Sequence, residues 1–290
     1  MKNLTQILLA LLLFIPFISS AQRDFTDVTI KIVPVKDSIY MLQGSGGNIG
    51  ISVGADGVLM IDDEFAALSE KITAAIKTLS DKPIKFLANT HFHGDHTGGN
   101  AEFEEAGAII FAQENVRKRL KMDDRTEGLP VITFNTDLTL HLNGNDIMAM
   151  HVDNAHTDSD ALIYFPQSNV MHTGDTFITN GFPFIDLSSG GSIAGDVEAG
   201  NAGLMLANED TMFIPGHGDL GTYEDYKSYV EMLKTLKDNV QKVIDSGKTR
   251  EEVSTMENLT STFHTDEEVK ESFINGPKIR ETIYDSLTKM

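Results

Sequence analysis

The chain has 290 residues, a formal net charge of −20 at pH 7 and no cysteine. Such an acidic protein is disfavoured as a partner of nucleic acid or of anionic membranes, because their phosphates would repel it. Without cysteine, neither disulfides nor thiolate metal ligands are available. No linker, repeat or low-complexity tract divides the chain, so we expect one domain over residues 22–290, with a helical C-terminal extension from about residue 223.

The first residues have the pattern of a secretory signal peptide. Lys2 supplies a positive start, residues 7–18 an apolar core and residues 19–21 the small side chains of a cleavage site before Gln22. The apolar core is short for a bilayer span, so an uncleaved anchor is the less favoured alternative. The sequence predicts a leader at residues 1–21 and an exported protein, periplasmic or secreted, with no stable membrane insertion after cleavage.

Apolar and alternating runs in the first half predict strands punctuated by glycine, with helices between them. The predicted strands lie at residues 28–33, 39–43, 48–53, 58–61, 84–88 and 109–112. The predicted helices lie at residues 65–79, 100–106 and 114–121.

The second half continues with strands and ends in helices. Asn143 and Gly144 are a hairpin signal between two of these strands. The predicted strands lie at residues 138–142, 147–152, 161–165, 170–173 and 212–215, and the predicted helices at 223–246, shortly after Asp266, and at 277–289. Strands in both halves, each set accompanied by helices, favour two mixed sheets packed face to face with helices outside.

Three histidines and one aspartate follow the strand at residues 84–88. Imidazole and carboxylate together suit zinc, iron, nickel or copper better than magnesium or calcium. A chance histidine-rich loop is the alternative, but the preceding strand and the neighbouring glycines favour a loop that wraps around an ion. On an extended chain His91 and His93 project to the same side, whereas a turn re-aims Asp95 and His96. The cluster thus offers ligands to two neighbouring ions.

Later polar residues repeat this placement after predicted strands. They are His156, Asp175 and His217, and Asp62 follows the strand at 58–61 in the same way, in a supporting role. Each alone is as compatible with an ordinary loop, turn or cap residue as with a ligand. Together with the cluster they give five histidines and two aspartates, a complete set for two ions.

The order of these motifs resembles the metallo-β-lactamase superfamily of hydrolases. The resemblance spans residues 39–218 and rests on the motif HxHxDH at positions 91–96 with its three later partners. It implies an α/β fold, namely a four-layer αββα sandwich of two mixed sheets with outer helices, and a binuclear site between the sheets.

The resemblance also implies a role for each candidate ligand, together with two Zn²⁺ as cofactors and iron or manganese as alternatives. Asp62 would orient a ligand from behind the site. The implied ligands are His91, His93 and His156 for the first metal, Asp95, His96 and His217 for the second, and Asp175 as the bridge between them.

Differences between this sequence and individual branches of the superfamily narrow the set of activities that the resemblance implies. Flavodiiron proteins have a glutamate where His93 stands. One β-lactamase subclass has an arginine at the place of His96 and a cysteine at that of Asp175, and another usually lacks the bridging aspartate. The complete set resembles instead the glyoxalase II, lactonase and phosphodiesterase branches, although export argues against a glutathione substrate and the acidic charge against RNA.

We therefore expect an exported binuclear zinc hydrolase that cleaves a carboxylic ester, lactone, thioester or amide bond of a small molecule. Two ions would lower the pKa of a shared water to roughly 7 and so supply a bridging hydroxide. Asp95 would be the catalytic residue that both ligates and orients this nucleophile. β-Lactam hydrolysis is the alternative, and an iron-dependent sulfur dioxygenase or oxidase is a less favoured one. Neither the substrate nor the oligomeric state follows from the sequence.

Four histidines stay outside the ligand set. His141 and His172 lie within predicted strands, where a structural role is favoured, and His264 is expected at the surface. His151 is close to His156 in the sequence and is a candidate for lining the site. Residues 45–48 and 177–192 are expected either to overhang the site or to pack beside it.

Overall fold

The computed structural model describes residues 24–288, and the predicted signal peptide lies outside the described residues. Its strands are β1 (Lys31–Lys36), β2 (Ile39–Gln43), β3 (Ile49–Gly54), β4 (Gly57–Ile61), β5 (Ile84–Asn89), β6 (Ile109–Gln113), β7 (Ile132–Phe134), β8 (Asp137–Leu142), β9 (Asn145–His151), β10 (Ala161–Phe165), β11 (Val170–His172) and β12 (Met212–Ile214). Its helices are α1 (Ser69–Lys77), α2 (Gly94–Thr97), α3 (Asn100–Glu105), α4 (Glu114–Met122), α5 (Ile193–Leu206), α6 (Tyr223–Asp245), α7 (Arg250–Ser254) and α8 (Gly276–Thr288).

In the described part of the chain, the strands form two mixed sheets. The first sheet has seven strands in the order β1 to β7, antiparallel from β1 to β4 and parallel from β4 to β7. The second sheet has five strands in the order β12-β11-β10-β9-β8, and only its β11 and β12 pair in parallel. The parallel half of the first sheet is where loops can gather at the carboxyl ends of strands.

The two sheets pack face to face through a shared apolar core. Met41 and Ile61 of the first sheet and Ile163 and Ile214 of the second belong to this core and are fully buried. Burying one such side chain stabilises the fold by roughly 1.5 to 3 kcal/mol. The strand β4 is buried on both faces, as its uninterrupted apolar sequence requires.

Helices cover the outer face of each sheet. Ile72 of α1 and Phe103 of α3 pack in the core on the outer side of the first sheet. Val197 of α5, Leu233 of α6 and Ile283 of α8 belong to the core on the outer side of the second sheet. Helix, sheet, sheet and helix therefore follow one another, and the predicted four-layer αββα sandwich is confirmed.

The sequence analysis missed helix α5 because glycines interrupt its apolar pattern. Two of these glycines allow α5 to approach α6 closely. A Cβ at Gly200 would lie 2.6 Å from the Val230 side chain, and one at Gly203 would lie 2.3 Å from the Tyr226 hydroxyl. Glycine weakens the helical signal of the sequence, but here it permits close packing of two helices.

Two other local predictions were wrong. The first strand begins at Lys31 rather than at residue 28, and the Lys71 ammonium donates hydrogen bonds to main-chain carbonyls of residues 25, 26 and 28. These bonds hold the preceding segment against α1 and away from the sheet. After Asp266 the chain forms turns rather than a helix. The short helix α7 lies before this point in the sequence, and Thr249 and Glu252 form a capping box at its N-terminus.

Over residues 24–288, none of the helices is both long enough and apolar enough to cross a membrane. The apolar face of the longest helix, α6, packs in the protein core through Tyr226, Leu233 and Val240.

Candidate metal centre

The candidate ligands lie at one rim of the sandwich, in loops that leave core strands. His91 follows β5, Asp175 follows β11 and His217 follows β12 by two or three residues each. His156 lies in the loop between β9 and β10. The turn predicted after His93 is the single helical turn α2, which carries Asp95 and His96. The strand ends thus bring distant parts of the sequence to one place.

Four of the predicted ligands form a first group. The donor atoms of His91, His93, His156 and Asp175 all lie within 4.8 Å of one another. His156 Nε2 is 2.9 Å from His93 Nδ1 and 3.6 Å from Asp175 Oδ2. Three imidazoles and a carboxylate therefore converge on one point, as a metal site requires.

The other three predicted ligands form a second group beside the first. The donor atoms of Asp95, His96 and His217 also lie within 4.8 Å of one another. Asp95 Oδ2 is 3.3 Å from His217 Nε2 and 3.8 Å from His96 Nε2. Apart from Asp175, the two groups contain the residues that the resemblance implied for the first and the second metal.

Asp175 contacts both groups. Its Oδ1 lies 3.1 Å from His96 Nε2, and its Oδ2 lies 3.5 Å from His217 Nε2, both in the second group. The same Oδ2 lies 3.6 Å from His156 Nε2 and 4.0 Å from His91 Nε2, both in the first. Its place between the groups is the place expected of a bridging carboxylate.

Several donor atoms that point into this space lack other partners. Within residues 24–288, His91 Nε2, His96 Nε2 and Asp175 Oδ1 are buried and accept or donate no hydrogen bond, although the last two are only 3.1 Å apart. Each unpaired buried polar atom costs about 1 to 3 kcal/mol, which a bound cation would offset. The donor set fits divalent metal ions, and zinc, iron and manganese all suit it.

The second nitrogen of most ligand histidines is held by another group. Asp62 Oδ2 lies 2.8 Å from His96 Nδ1, and the Phe184 carbonyl lies 2.5 Å from His156 Nδ1. Such contacts fix the ring orientation, so that the other nitrogen faces the metal. Asp62 therefore lies behind the site, where the supporting role was predicted.

The charges of the cluster shift the pKa values of its members. Burial raises the pKa of Asp95, but the charges of His96 and His217 outweigh it and lower the value to about 2. Burial lowers the pKa of His217, but Asp175 and Asp95 outweigh it and raise the value to about 9. Burial lowers the pKa of His156 to about 4. At neutral pH Asp95 and His156 are thus already in the forms that bind metals.

The sequence analysis missed Asp186, which lies close to a ligand. Its Oδ2 lies 3.1 Å from His93 Nε2, and its Oδ1 accepts hydrogen bonds from the backbone amides of Ser188 and Ser189. Asp186 is 93 residues from His93 in the sequence. It does not follow a predicted strand, and the candidate ligands were chosen because they follow predicted strands. An aspartate two residues before a serine pair signals only a turn.

Glu64 is a second residue that the sequence analysis missed. It is fully buried, and its Oε2 accepts hydrogen bonds from the amides of Ser45 at 2.9 Å and Gly46 at 3.1 Å. These bonds hold the glycine-rich loop against the second donor group. A Cβ at Gly47 would lie 2.1 Å from the His96 ring, so only glycine fits there.

The remaining histidines lie outside the two groups. The buried His172 bonds through Nε2 to the Asn48 carbonyl at 3.1 Å, which is the structural role that was expected. His141 lies in β8, is exposed and pairs with Asp146. His151 bonds to the Asp160 carbonyl and does not line the cleft. His264 is half-buried beside the Phe182 ring.

A cleft of about 840 Å³ opens over the donor groups. His93, Asp95, Asp175 and His217 form its floor. Both stretches that were expected near the site line it, the first through Ser45 and the second through side chains between residues 178 and 184. The volume is that of a typical small-molecule site.

The model of the metallo-beta-lactamase superfamily matches residues 44–241. The chain belongs to this superfamily, and it is a metal-dependent hydrolase by class. It is 21% identical over 228 residues to the metallo-beta-lactamase IND-1 of Chryseobacterium indologenes. This alignment covers 76% of this chain and 93% of that protein. It is also 31% identical over 109 residues to a hydroxyacylglutathione hydrolase of Pelagibacter ubique, covering 37% of this chain and 42% of that protein.

Solved structures are similar in fold. The crystal structure of the DIM-1 metallo-beta-lactamase superposes with a TM-score of 0.63 at 18% identity, covering 72% of this chain and 99% of that one. A metallo-beta-lactamase from Pontibacter korlensis gives a TM-score of 0.62 at 18% identity, covering 71% and 99%. At these identities the likeness shows the fold and leaves the substrate open.

Proposed function

We propose that the protein is an exported hydrolase that uses two zinc ions to cleave a carboxylic ester, lactone, thioester or amide bond of a small molecule. The observation that carries the proposal is the position of Asp175, whose carboxylate oxygens lie 3.1 to 3.6 Å from histidine nitrogens of both donor groups. Export is proposed from the leader pattern of residues 1–21.

Two divalent cations, when bound, acidify water and polarise a scissile carbonyl. The residues of the chain hold and orient the reactants around them. Asp95 is the more open of the two ligand carboxylates, with its side chain 32% exposed against 11% for Asp175. Because its pKa is held near 2, it stays ionised, accepts a hydrogen bond from the attacking water and orients it.

A substrate panel tests the proposed reaction. Zinc-loaded protein is expected to hydrolyse at least one ester, lactone, thioester or amide, and His93→Ala should lower that turnover by more than about 100-fold, because a lost ligand costs more than a lost orienting contact. His141→Ala is the matched control, since this exposed histidine lies outside both groups. Equal turnover by wild type and His93→Ala would end the proposal.

Export has its own test. The full-length protein is expressed with its leader in a host that has a secretion pathway. It should then appear outside the cytoplasm with Gln22 as its first residue. Intact protein that begins at Met1 and stays in the cytoplasm would contradict export and leave the proposed chemistry untouched.

β-Lactam hydrolysis is the second candidate. The observation that favours it is the similarity to the β-lactamase IND-1 over 93% of that protein's length. Hydrolysis of nitrocefin that a chelator abolishes would support this alternative. Turnover of esters or lactones without any effect on nitrocefin would reject it.

A further inference from the structure

One wall of the cleft comes from the C-terminal part of the chain. The superfamily match ends at residue 241, whereas Ser272, Phe273 and Ile274 line the cleft just before α8. The floor of the site thus lies within the matched region, and this wall lies beyond it. A wall from outside the matched region is a place where this chain can select its own substrate.

A buried arginine holds the C-terminal segment in place. The fully buried guanidinium of Arg280 donates hydrogen bonds to both oxygens of Asp266, at 2.8 and 2.9 Å. It also donates to the Ser254 carbonyl and to the Thr260 hydroxyl. Ile274 is 5% exposed and belongs to the core beside α6 and α8. The segment is therefore a fixed part of the cleft.

Two aromatic rings extend from the donor groups toward the mouth of the cleft. The Phe184 ring stacks on the His93 ring at 5.9 Å between centroids and 23° between planes. The Phe273 ring meets Phe184 edge to face at 5.4 Å and 79°. Phe273 is nevertheless 73% exposed, so most of its apolar surface faces solvent. An exposed aromatic side chain next to a reactive centre is typical of a binding surface.

A single ammonium group lies beside both rings. Lys278 Nζ lies 4.2 Å from the Phe273 ring centroid and 5.9 Å from that of Phe184, and it donates a hydrogen bond to the Phe273 carbonyl. Among the described residues it forms no ion pair with a carboxylate. In a chain with a net charge of −20, such a lysine is a local site of attraction for anions.

We propose that Phe184, Phe273 and Lys278 form a substrate subsite for an apolar chain that ends in a carboxylate. The apolar part lies along the two rings, and the carboxylate pairs with the lysine. The scissile bond lies at the donor groups, so this inference rests on the proposed function. The substrate class is therefore a carboxylic ester, lactone, thioester or amide with an apolar acyl chain and a distal anionic group.

Binding of simple carboxylic acids tests the subsite without any turnover. Acetate, octanoate and suberate are titrated calorimetrically into zinc-loaded protein, with acetate reporting the metal centre alone. Octanoate should bind at least about tenfold more tightly than acetate, because each buried methylene strengthens binding up to about fourfold. Suberate, which adds a distal carboxylate, should bind about three- to tenfold more tightly than octanoate if an ammonium group meets it.

Variants assign the parts of the subsite. Phe273→Ala should weaken octanoate and suberate roughly tenfold and leave acetate unchanged, and its fold is safe because the side chain is largely exposed. Lys278→Gln should reduce suberate to the affinity of octanoate, and Lys278→Arg should restore it. Met205→Ala and Lys227→Gln are matched controls at exposed positions and should change nothing.

Two outcomes overturn the subsite. One is equal binding of the three acids by the wild type, and the other is binding of suberate that Phe273→Ala and Lys278→Gln leave unchanged. Turnover separates the two proposals. If 4-nitrophenyl octanoate is hydrolysed while the binding pattern is absent, the subsite fails and the proposed function stands. If the pattern is present and no ester, lactone, thioester or amide is hydrolysed, the subsite stands and the proposed function fails.

Discussion

The carboxylate of Asp62 bonds to Nδ1 of His96 at 2.8 Å, and both side chains are fully buried. Asp62 is itself held by Thr90, whose amide and hydroxyl donate to its two oxygens at 2.8 and 2.7 Å. Its backbone has a φ of 60°, a conformation that costs a non-glycine residue about 1 kcal/mol or more. These hydrogen bonds offset the strain and aim His96 Nε2 into the second donor group.

Asp62→Asn is expected to weaken zinc binding by roughly 10- to 100-fold, because a neutral amide holds the imidazole less firmly than a carboxylate. Competition with a chromophoric chelator measures the affinity. Asp146→Asn removes the carboxylate from the exposed pair with His141 and is the matched control. Equal zinc affinities of wild type and Asp62→Asn would show that the contact does not orient a ligand.

Zinc binding should release protons at pH 7. Without a metal, Asp175 and Asp95 raise the pKa of His217 to about 9 against the effect of burial, so the imidazole carries a proton that the metal must displace. The affinity for zinc should accordingly rise with pH up to about 9. Calorimetry in buffers of different ionisation enthalpy counts the protons. His217→Ala should reduce the release, and an enthalpy independent of the buffer would contradict this protonation state.

The close approach of Gly47 to His96 predicts that alanine at Gly47 and alanine at Gly94 have different effects on zinc affinity. A Cβ at Gly47 would lie 2.1 Å from the His96 ring, whereas the nearest atom to a Cβ at Gly94 lies at 3.9 Å. Gly47→Ala should therefore displace a ligand and weaken zinc binding by at least about tenfold. Gly94→Ala, the matched control, should bind zinc as the wild type does. Similar zinc affinities for both variants would contradict the packing described.

The pair of Arg280 and Asp266 should stabilise the C-terminal segment in a pH-dependent way. Asp266→Asn leaves a buried guanidinium without its carboxylate, and we expect a loss of about 3 kcal/mol in the free energy of unfolding at pH 7. Hydrogen bonds from Arg280 lower the pKa of Asp266 in the folded state. Its contribution is therefore complete above the unfolded pKa of about 3.9 and is lost as the pH falls below that value.

Urea unfolding of wild type and Asp266→Asn at pH 7 and near pH 3 measures this difference. The gap between the two proteins should shrink on acidification. A gap that stays constant or grows at low pH would mean that the ionised carboxylate is not the stabilising group.

The sequence could predict the candidate ligands because several of them directly follow a core strand. His91, Asp175 and His217 depend only on where β5, β11 and β12 end, and strand ends are visible as breaks in apolar runs. The resemblance to the superfamily then implied how these residues divide into two groups. The sandwich was predictable for the same reason, since its core strands are apolar and its outer helices amphipathic.

The sequence could not predict contacts that depend on the packing of loops. Asp186 reaches His93 through a loop whose path no periodic pattern fixes. Phe273 lines the cleft from a segment that the pair of Arg280 and Asp266 anchors, and the short helix that the sequence predicted after Asp266 is absent there. Helix α5 was missed because glycine counts against a helix locally, whereas its value lies in tertiary contact with α6.

The count of bound metal ions tests the two-group arrangement most directly. Metal analysis of protein saturated with zinc and freed of excess should give two ions per chain in the wild type. His156→Ala and His217→Ala each remove a ligand from a different group, so each should hold one tightly bound ion. One ion or none in the wild type, or two tightly bound ions in both variants, would contradict a binuclear centre built from these seven residues.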